Sequence, residues 1–314
     1  MQKINISKEA IDNFYGHISN KFINEKLSKE KNKKLMWTIT LTELNTLISK
    51  KLKGFKENLD LEKLIKMEYS DLCRLVDYIK SNKSKTKLTI KQKDIFLTLY
   101  SRLNNALFVK DLNVKVCPYC NRNYIFNFNK KGKENATAQL DHFFDKKDYP
   151  YLSVSIYNLV PSCGTCNLRK SSKQQDIFYP YNESFNDSVK FKLKGIKSRE
   201  KLSIQNLDFF DEKRIELDYK ILNNKDKVEN HIEIFNIKNL YNEHKDIVSE
   251  LLQKRVIYSD DYIDSLLDEY EGKLFNNKED LQRLITSGYV EDKDINKRPL
   301  SKLIKDISEE LDLL

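Results

Sequence analysis

The chain has 314 residues, 33% of them charged and 11% aromatic, with 56 Lys and Arg against 47 Asp and Glu for a formal net charge of +9. That composition is too aromatic for a disordered chain and too charged for a membrane protein. No stretch approaches the roughly 18 apolar residues of a spanning helix, and Met1–Ala10 has neither the apolar core nor the cleavage site of a secretory signal. A cytoplasmic protein of two or three domains is expected, with no membrane association. The excess of cations favours a polyanionic partner, of which nucleic acid is the commonest. A Lys-rich protein from an AT-rich genome would show the same balance.

Residues 1 to about 112 read as helical. Ile11, Phe14, Ile18 and Phe22 recur at helical spacing, as do Leu41, Leu44, Ile48 and Leu52. Leu61, Leu64, Ile65, Leu72, Leu75, Val76 and Ile79 make a third stripe, and Phe96, Leu99, Leu103 and Leu107 a fourth. These stripes predict core-facing packing in a domain of about four helices, with Ser81–Lys87 as a basic loop. At Cys117 the pattern changes. Asn123–Asn129 favours β structure, Lys130–Lys133 turns, and Ala136–His142 leads back, which predicts a hairpin. Pro161 and Gly164 then punctuate the chain, and Cys166–Lys173 can continue as a helix, completing a β-β-α unit. Further on, Val189–Leu193 and Arg214–Ile221 alternate as strands do. Asn230–Tyr270 and Lys278–Leu313 return to helical periodicity.

Four of the five cysteines form two Cys-x-x-Cys pairs, Cys117/Cys120 and Cys163/Cys166. In a reducing compartment such pairs point to a metal and away from disulfides. Two knuckles complete a tetrahedral four-thiolate site, which is coordinatively closed and therefore structural zinc. Four ordinary thiols or an iron–sulfur site are the alternatives. Cys73 reads as a small buried thiol. The 42 residues between the pairs hold the dipeptide Asp141-His142. Phosphodiester hydrolysis needs an attacking water, a base to deprotonate it and a cation for the developing charge. Neutral histidine suits the base near pH 7, and aspartate is a hard oxygen ligand for Mg²⁺ or Mn²⁺. Consecutive strand residues point to opposite faces, so the two need a strand end or a kink to serve one site.

Cys117-x2-Cys120, Asp141-His142, Asn158 and Cys163-x2-Cys166-Asn167-x2-Lys170 together resemble a zinc-containing HNH endonuclease of the ββα-metal class. The eight-residue gap between Asn158 and Asn167 matches that family. Asp148–Asn167 and Tyr179-Pro-Tyr181 resemble the nuclease subunit of Septu-type antiphage systems. The resemblance implies a mainly α chain with a small central α+β module: a helical region over 1–112, a zinc-stapled HNH module over 113–182, and a mostly helical region with short strands over 183–314. It makes His142 the general base, Asp141 a ligand of the catalytic ion, Asn158 the residue that holds the imidazole, and Asn167 the second ligand. An amide oxygen at Asn167 favours Mg²⁺ or Mn²⁺ over a second zinc. Lys170, three residues on and on the same helical face, is a candidate for steadying a phosphate, with Arg169, Lys173 and Arg122 as further candidates. A solvated helix lysine is the alternative for Lys170, and a helix-stabilising role is the alternative for Asn167.

The expected function is metal-dependent DNA cleavage or nicking in antiphage defence, leaving 5′-phosphate and 3′-hydroxyl ends. An ATPase subunit is the partner that the Septu resemblance implies. With 7 glycines and no phosphate-cradling loop, the chain does not read as that ATPase itself. The competing readings are a non-catalytic zinc module that binds nucleic acid or a protein, and an RNA-cleaving toxin with the same chemistry. His17, His231 and His244 lack clustered partners and read as structural or exposed.

Overall fold

A computed structural model describes residues 3–22, 26–31, 34–171, 176–194 and 210–314. About half of the chain is helical, and the strands form two-stranded antiparallel sheets. The chain divides into two compact units, Ile4–Asn113 with Asn127–Ser162, and Val114–Phe126 with Cys163–Leu314. Segment 113–182 therefore contributes to both.

The first unit opens with α1 (Lys8–Ser19), capped by Ser7, and continues through strands β1 (Lys26–Lys31) and β2 (Lys34–Thr40). Then come α2 (Leu41–Leu52), α3 (Leu61–Ile65), α4 (Tyr69–Ser81), α5 (Lys83–Thr86), α6 (Ile90–Ser101) and α7 (Asn105–Leu112). The apolar stripes face inward as their spacing requires. Phe14, Ile18, Leu44, Ile48, Leu52, Leu72, Leu75, Phe96 and Leu99 are all buried, and the Phe14 and Phe108 rings meet at 4.6 Å.

Three expectations for this region are corrected. The β1–β2 hairpin stands where only helices were read; it is held by the Lys29 ammonium and Trp37 indole on the two Asp94 oxygens, contacts outside its own segment. The basic loop at 81–87 contains α5, stabilised by the Thr86 hydroxyl on the Asn82 carbonyl. The fourth stripe is two helices, because the Asn104 side chain caps a new start by accepting from the Leu107 amide. Cys73 is only half-buried.

The hairpin expected over Asn123–His142 is shorter. Strands β3 (Asn127–Lys130) and β4 (Lys133–Ala136) pair across a two-residue turn, with Lys131 and Gly132 at φ of 53° and 76°. Positive φ at both positions is what this tight turn demands. Strand β5 (Gln139–His142) leaves that hairpin and pairs antiparallel with β6 (Leu159–Ser162), Asp141 opposite Val160 and His142 opposite Leu159. The reason is burial: β3 is largely exposed, whereas Leu140, Asp141, His142 and all four residues of β6 are buried. Between β5 and β6 lie the 3₁₀ turns Pro150–Val154 and Ile156–Asn158. Side chains of this connection bond to helix backbones: Tyr151 to the Thr86 carbonyl, Ser153 to Phe96 and Ser155 to Leu64.

The second unit contains α8 (Gly164–Lys170), then β7 (Val189–Leu193) paired with β8 (Leu217–Ile221), close to the strands read from alternation. Six helices follow: α9 (Lys225–Phe235), α10 (Ile237–Tyr241), α11 (Lys245–Ile257), α12 (Asp260–Tyr270), α13 (Lys278–Thr286) and α14 (Ser301–Glu310). Helix α14 packs on β7 and α11. It buries an ion pair, Lys302 with Asp306, at 2.8 Å and 3% and 1% side-chain exposure. Asp306 also accepts from the Phe191 amide, and Lys302 donates to the Asn186 carbonyl. No described helix is long and apolar enough to cross a membrane.

Candidate functional site

Cys117-Pro-Tyr-Cys120 forms a knuckle. The Cys117 amide donates to the Asn123 carbonyl and the Asn121 amide back to the Cys117 carbonyl, with Asn121 in the left-handed region at φ of 48°. Cys163 is the N-cap of α8 and Cys166 lies in its first turn. The four Sγ atoms lie within 4.8 Å of one another, and all four residues are buried. Tetrahedral zinc with bonds of about 2.3 Å places its sulfurs about 3.8 Å apart, so the cluster can hold a zinc ion. Two N–H groups already point at sulfur, Arg122 N on Cys120 Sγ at 3.4 Å and Asn123 Nδ2 on Cys163 Sγ at 3.3 Å, as suits thiolates. Burial pushes the Cys117 thiol well above its ordinary range, while hydrogen bonds from Cys117 and Cys120 hold Cys163 well below.

The knuckle's backbone is fixed by groups far along the chain. Asn121 donates to the Ile295 carbonyl and accepts from the Lys302 amide, and its own carbonyl accepts from Leu300. His231 Nε2 donates to the Tyr119 carbonyl at 2.8 Å, and the Tyr241 hydroxyl to the Cys120 carbonyl at 2.6 Å. Burial brings the His231 pKa down to about 4, so the ring is neutral. Asn121, His231 and Tyr241 were not marked as supports of this site by any local pattern, because each acts across more than 100 residues.

The Asp141-His142 pair belongs to the other unit. His142 is the last residue of β5, the strand end that the two-residue argument required. Both side chains are buried, at 3% and 8% exposure. His142 Nε2 lies 3.0 Å from the Ser153 carbonyl. A carbonyl only accepts, so Nε2 carries a proton. The Tyr100 ring packs edge-on against the imidazole at 4.5 Å, and its hydroxyl donates to the Leu140 carbonyl. Burial first, and the charge of Asp141 second, push the Tyr100 phenol above its ordinary value.

Asn158 is fully buried. Its Oδ1 accepts from the Phe144 amide at 2.7 Å, and its Nδ2 donates to the Phe144 and Leu152 carbonyls at 3.0 and 2.9 Å. It braces the backbone two residues beyond His142 and one residue before Ser153. Asn167 and Lys170 lie on α8, in the unit of the four cysteines. Cys163 is that helix's N-cap, so Asn167 is not its cap. Lys170 is 2% exposed, which sets aside a solvated helix lysine. Arg169 is half-buried. Arg122 turns to His244, Nη1 to Nε2 at 3.4 Å, and its buried Nε has no hydrogen-bond partner. Lys173 lies outside the described residues. Tyr100, which packs on His142, and Lys146, which sits over the Tyr100 ring, carry no sequence signal that would have marked them.

Over 142 residues, 42% of its length, the chain is 28% identical to the Septu protein PtuB of Bacillus thuringiensis. The matched stretch spans about half of that relative, 52% of its length. No family model and no solved structure matches the chain.

Proposed function

We propose that the chain is a metal-dependent HNH-type endonuclease that hydrolyses phosphodiester bonds of DNA, by nicking or double-strand cleavage, as the effector of an antiphage defence system. The observation that carries this reading is His142: buried, at a strand end, directly after an aspartate, with its proton held on Nε2 by a backbone carbonyl. In this reading Nδ1 takes the proton of an attacking water, and the Ser153 carbonyl supports the imidazolium that results. Asn158 keeps the two backbone segments around the ring in place. Asp141 offers a hard carboxylate oxygen, which suits Mg²⁺ or Mn²⁺. Such an ion, when bound, neutralises charge on the phosphate and the leaving oxygen. The four thiolates form a closed set and serve the scaffold, not the reaction. The likeness to a Septu protein supports the defence role, and an ATPase subunit is the partner that the sequence resemblance implies.

The test is incubation of purified protein with supercoiled plasmid, with and without Mg²⁺ or Mn²⁺. Wild type relaxes or linearises the plasmid only with metal. His142→Ala lowers the rate by about 10² to 10⁴ while zinc content and far-UV circular dichroism stay unchanged. Undiminished cleavage by His142→Ala rejects the assignment, and plasmid binding without cleavage by wild type favours a non-catalytic zinc module.

A further inference from the structure

Lys146 lies four residues beyond His142, in the turn that leaves β5. It is half-buried, and its Nζ sits over the Tyr100 ring at 4.3 Å from the centroid. The same ring packs its edge against His142 at 4.5 Å. Ammonium and imidazole therefore contact the same phenol ring. No carboxylate comes within ion-pair distance of this ammonium among the described residues. Its nearest acid, Asp145, turns an oxygen to the Lys147 amide instead. Burial lowers the lysine's pKa, with Asp145 opposing the shift and Lys147 adding to it.

Three other lysines of this chain that are at least half-buried do carry carboxylates. Lys227 has Glu183 and Asp176, Lys305 has Asp292 and Glu309, and Lys302 has Asp306. A partly desolvated cation without a carboxylate loses hydration and gains only the ring's quadrupole in return. That arrangement suits a cation whose counter-charge arrives from outside, and the shared Tyr100 ring links it to the base of the proposed reaction.

We propose that Lys146 binds a non-bridging oxygen of the phosphodiester at this site, and that Tyr100 is a positioning residue that holds both the ammonium and the imidazole. This rests on the nuclease reading and adds its phosphate contact, from a residue outside Arg122, Arg169, Lys170 and Lys173. A lysine suits the task as a point charge that gains strength as phosphate charge develops. Tyr100 does no proton transfer. Its ring face holds the ammonium and its ring edge sets the plane of His142.

The test uses the full-length protein, a short DNA duplex in EDTA for binding, and supercoiled plasmid with Mn²⁺ for cleavage. Loss of one phosphate contact makes the slope of log affinity against log salt shallower by about 0.9. Lys146→Gln is expected to show that change, with kcat/KM down about 10- to 100-fold, and Lys146→Arg to restore most of both. Tyr100→Leu is expected to lower kcat with the salt slope nearly unchanged, and Tyr100→Phe to keep most activity. A folded Lys146→Gln with the wild-type salt slope and kcat/KM overturns the proposal. So does a defect seen only as lowered thermal stability. Should wild type bind duplex but cut nothing, the nuclease reading fails alone, and the salt slope still decides Lys146. Absence of any duplex binding by wild type overturns both.

Discussion

Replacing Asn158 by alanine tests whether one buried amide holds the backbone around the Asp-His pair. The side chain makes three hydrogen bonds, one from the Phe144 amide and two to the Phe144 and Leu152 carbonyls. Alanine leaves one donor and two acceptors with nothing to bond, in a place sealed from water. Each such orphan costs about 1–3 kcal/mol. Some of that is recovered where the backbone relaxes or a water enters the vacated space. The expected loss is about 3–5 kcal/mol, a large share of the about 5–15 kcal/mol that holds a typical domain. Asn158→Asp sharpens the test, since it keeps the shape and the acceptor for Phe144 but turns its other oxygen toward two carbonyls. Its carboxyl must hold a proton to fit, so its folded pKa rises above the unfolded value near 3.9. The variant is then closest to wild type below about pH 4 and loses stability as pH rises through the raised folded pKa. Urea unfolding followed by far-UV circular dichroism, at about pH 4.5 and about pH 8, measures both effects. An alanine variant that loses less than about 1 kcal/mol, or an aspartate deficit equal at the two pH values, refutes the reasoning.

Natively purified protein should carry one zinc per chain by elemental analysis, and serine at any of Cys117, Cys120, Cys163 or Cys166 should release it and unfold the knuckle; protein folded without stoichiometric zinc rejects the cluster as a metal site. His231, with its pKa brought down to about 4 from 6.5, is neutral when folded. The stability it confers is full above about pH 6.5 and falls as pH drops toward 4, by up to about 3 kcal/mol. His231→Gln keeps a donor for the Tyr119 carbonyl without titrating, so the difference between its unfolding curve and that of wild type should narrow on acidification; parallel curves reject this. Lys302→Met strands the Asp306 carboxylate and should cost about 3–5 kcal/mol in urea unfolding. Adding Asp306→Asn, which still accepts from Phe191, should recover most of it, and a double variant no better than the single one sinks the ion-pair account.

The cysteine knuckles were legible because chelation spacing is local: Cys117 and Cys120 sit in one turn, and Cys163 and Cys166 in the first turn of one helix. The stripes through Phe14 and Ile18, or Leu44, Ile48 and Leu52, were legible because one apolar face must be buried whatever it packs against. Strand β1 was not. Its sequence, Lys-Leu-Ser-Lys-Glu-Lys, lacks any alternation, and contacts to Asp94 hold its hairpin. The break before α7 had a signal, Asn104 as a cap, overridden by the apolar spacing across it. The partner of β5 depended on comparing two strands 16 residues apart for burial, which periodicity within either does not reveal. Asp141, His142 and Asn158 could be picked out as residues, yet Ser153, Tyr100 and Lys146 gain their meaning only from how the imidazole lies in the folded unit.

The clamp on Asn121 by the Lys302 amide spans 181 residues. On a ribosome adding about 5–20 residues per second, the first knuckle emerges roughly 10–40 s before the segment that locks it. During that interval Cys117 and Cys120 are exposed thiols, without the second pair for part of it and without Ile295–Lys302 throughout. Messages cut short before that segment yield chains whose first knuckle is never closed, and these are fit for proteolysis rather than for assembly. The long reach thus ties the final state of the first knuckle to synthesis of the Ile295–Lys302 segment that clamps it.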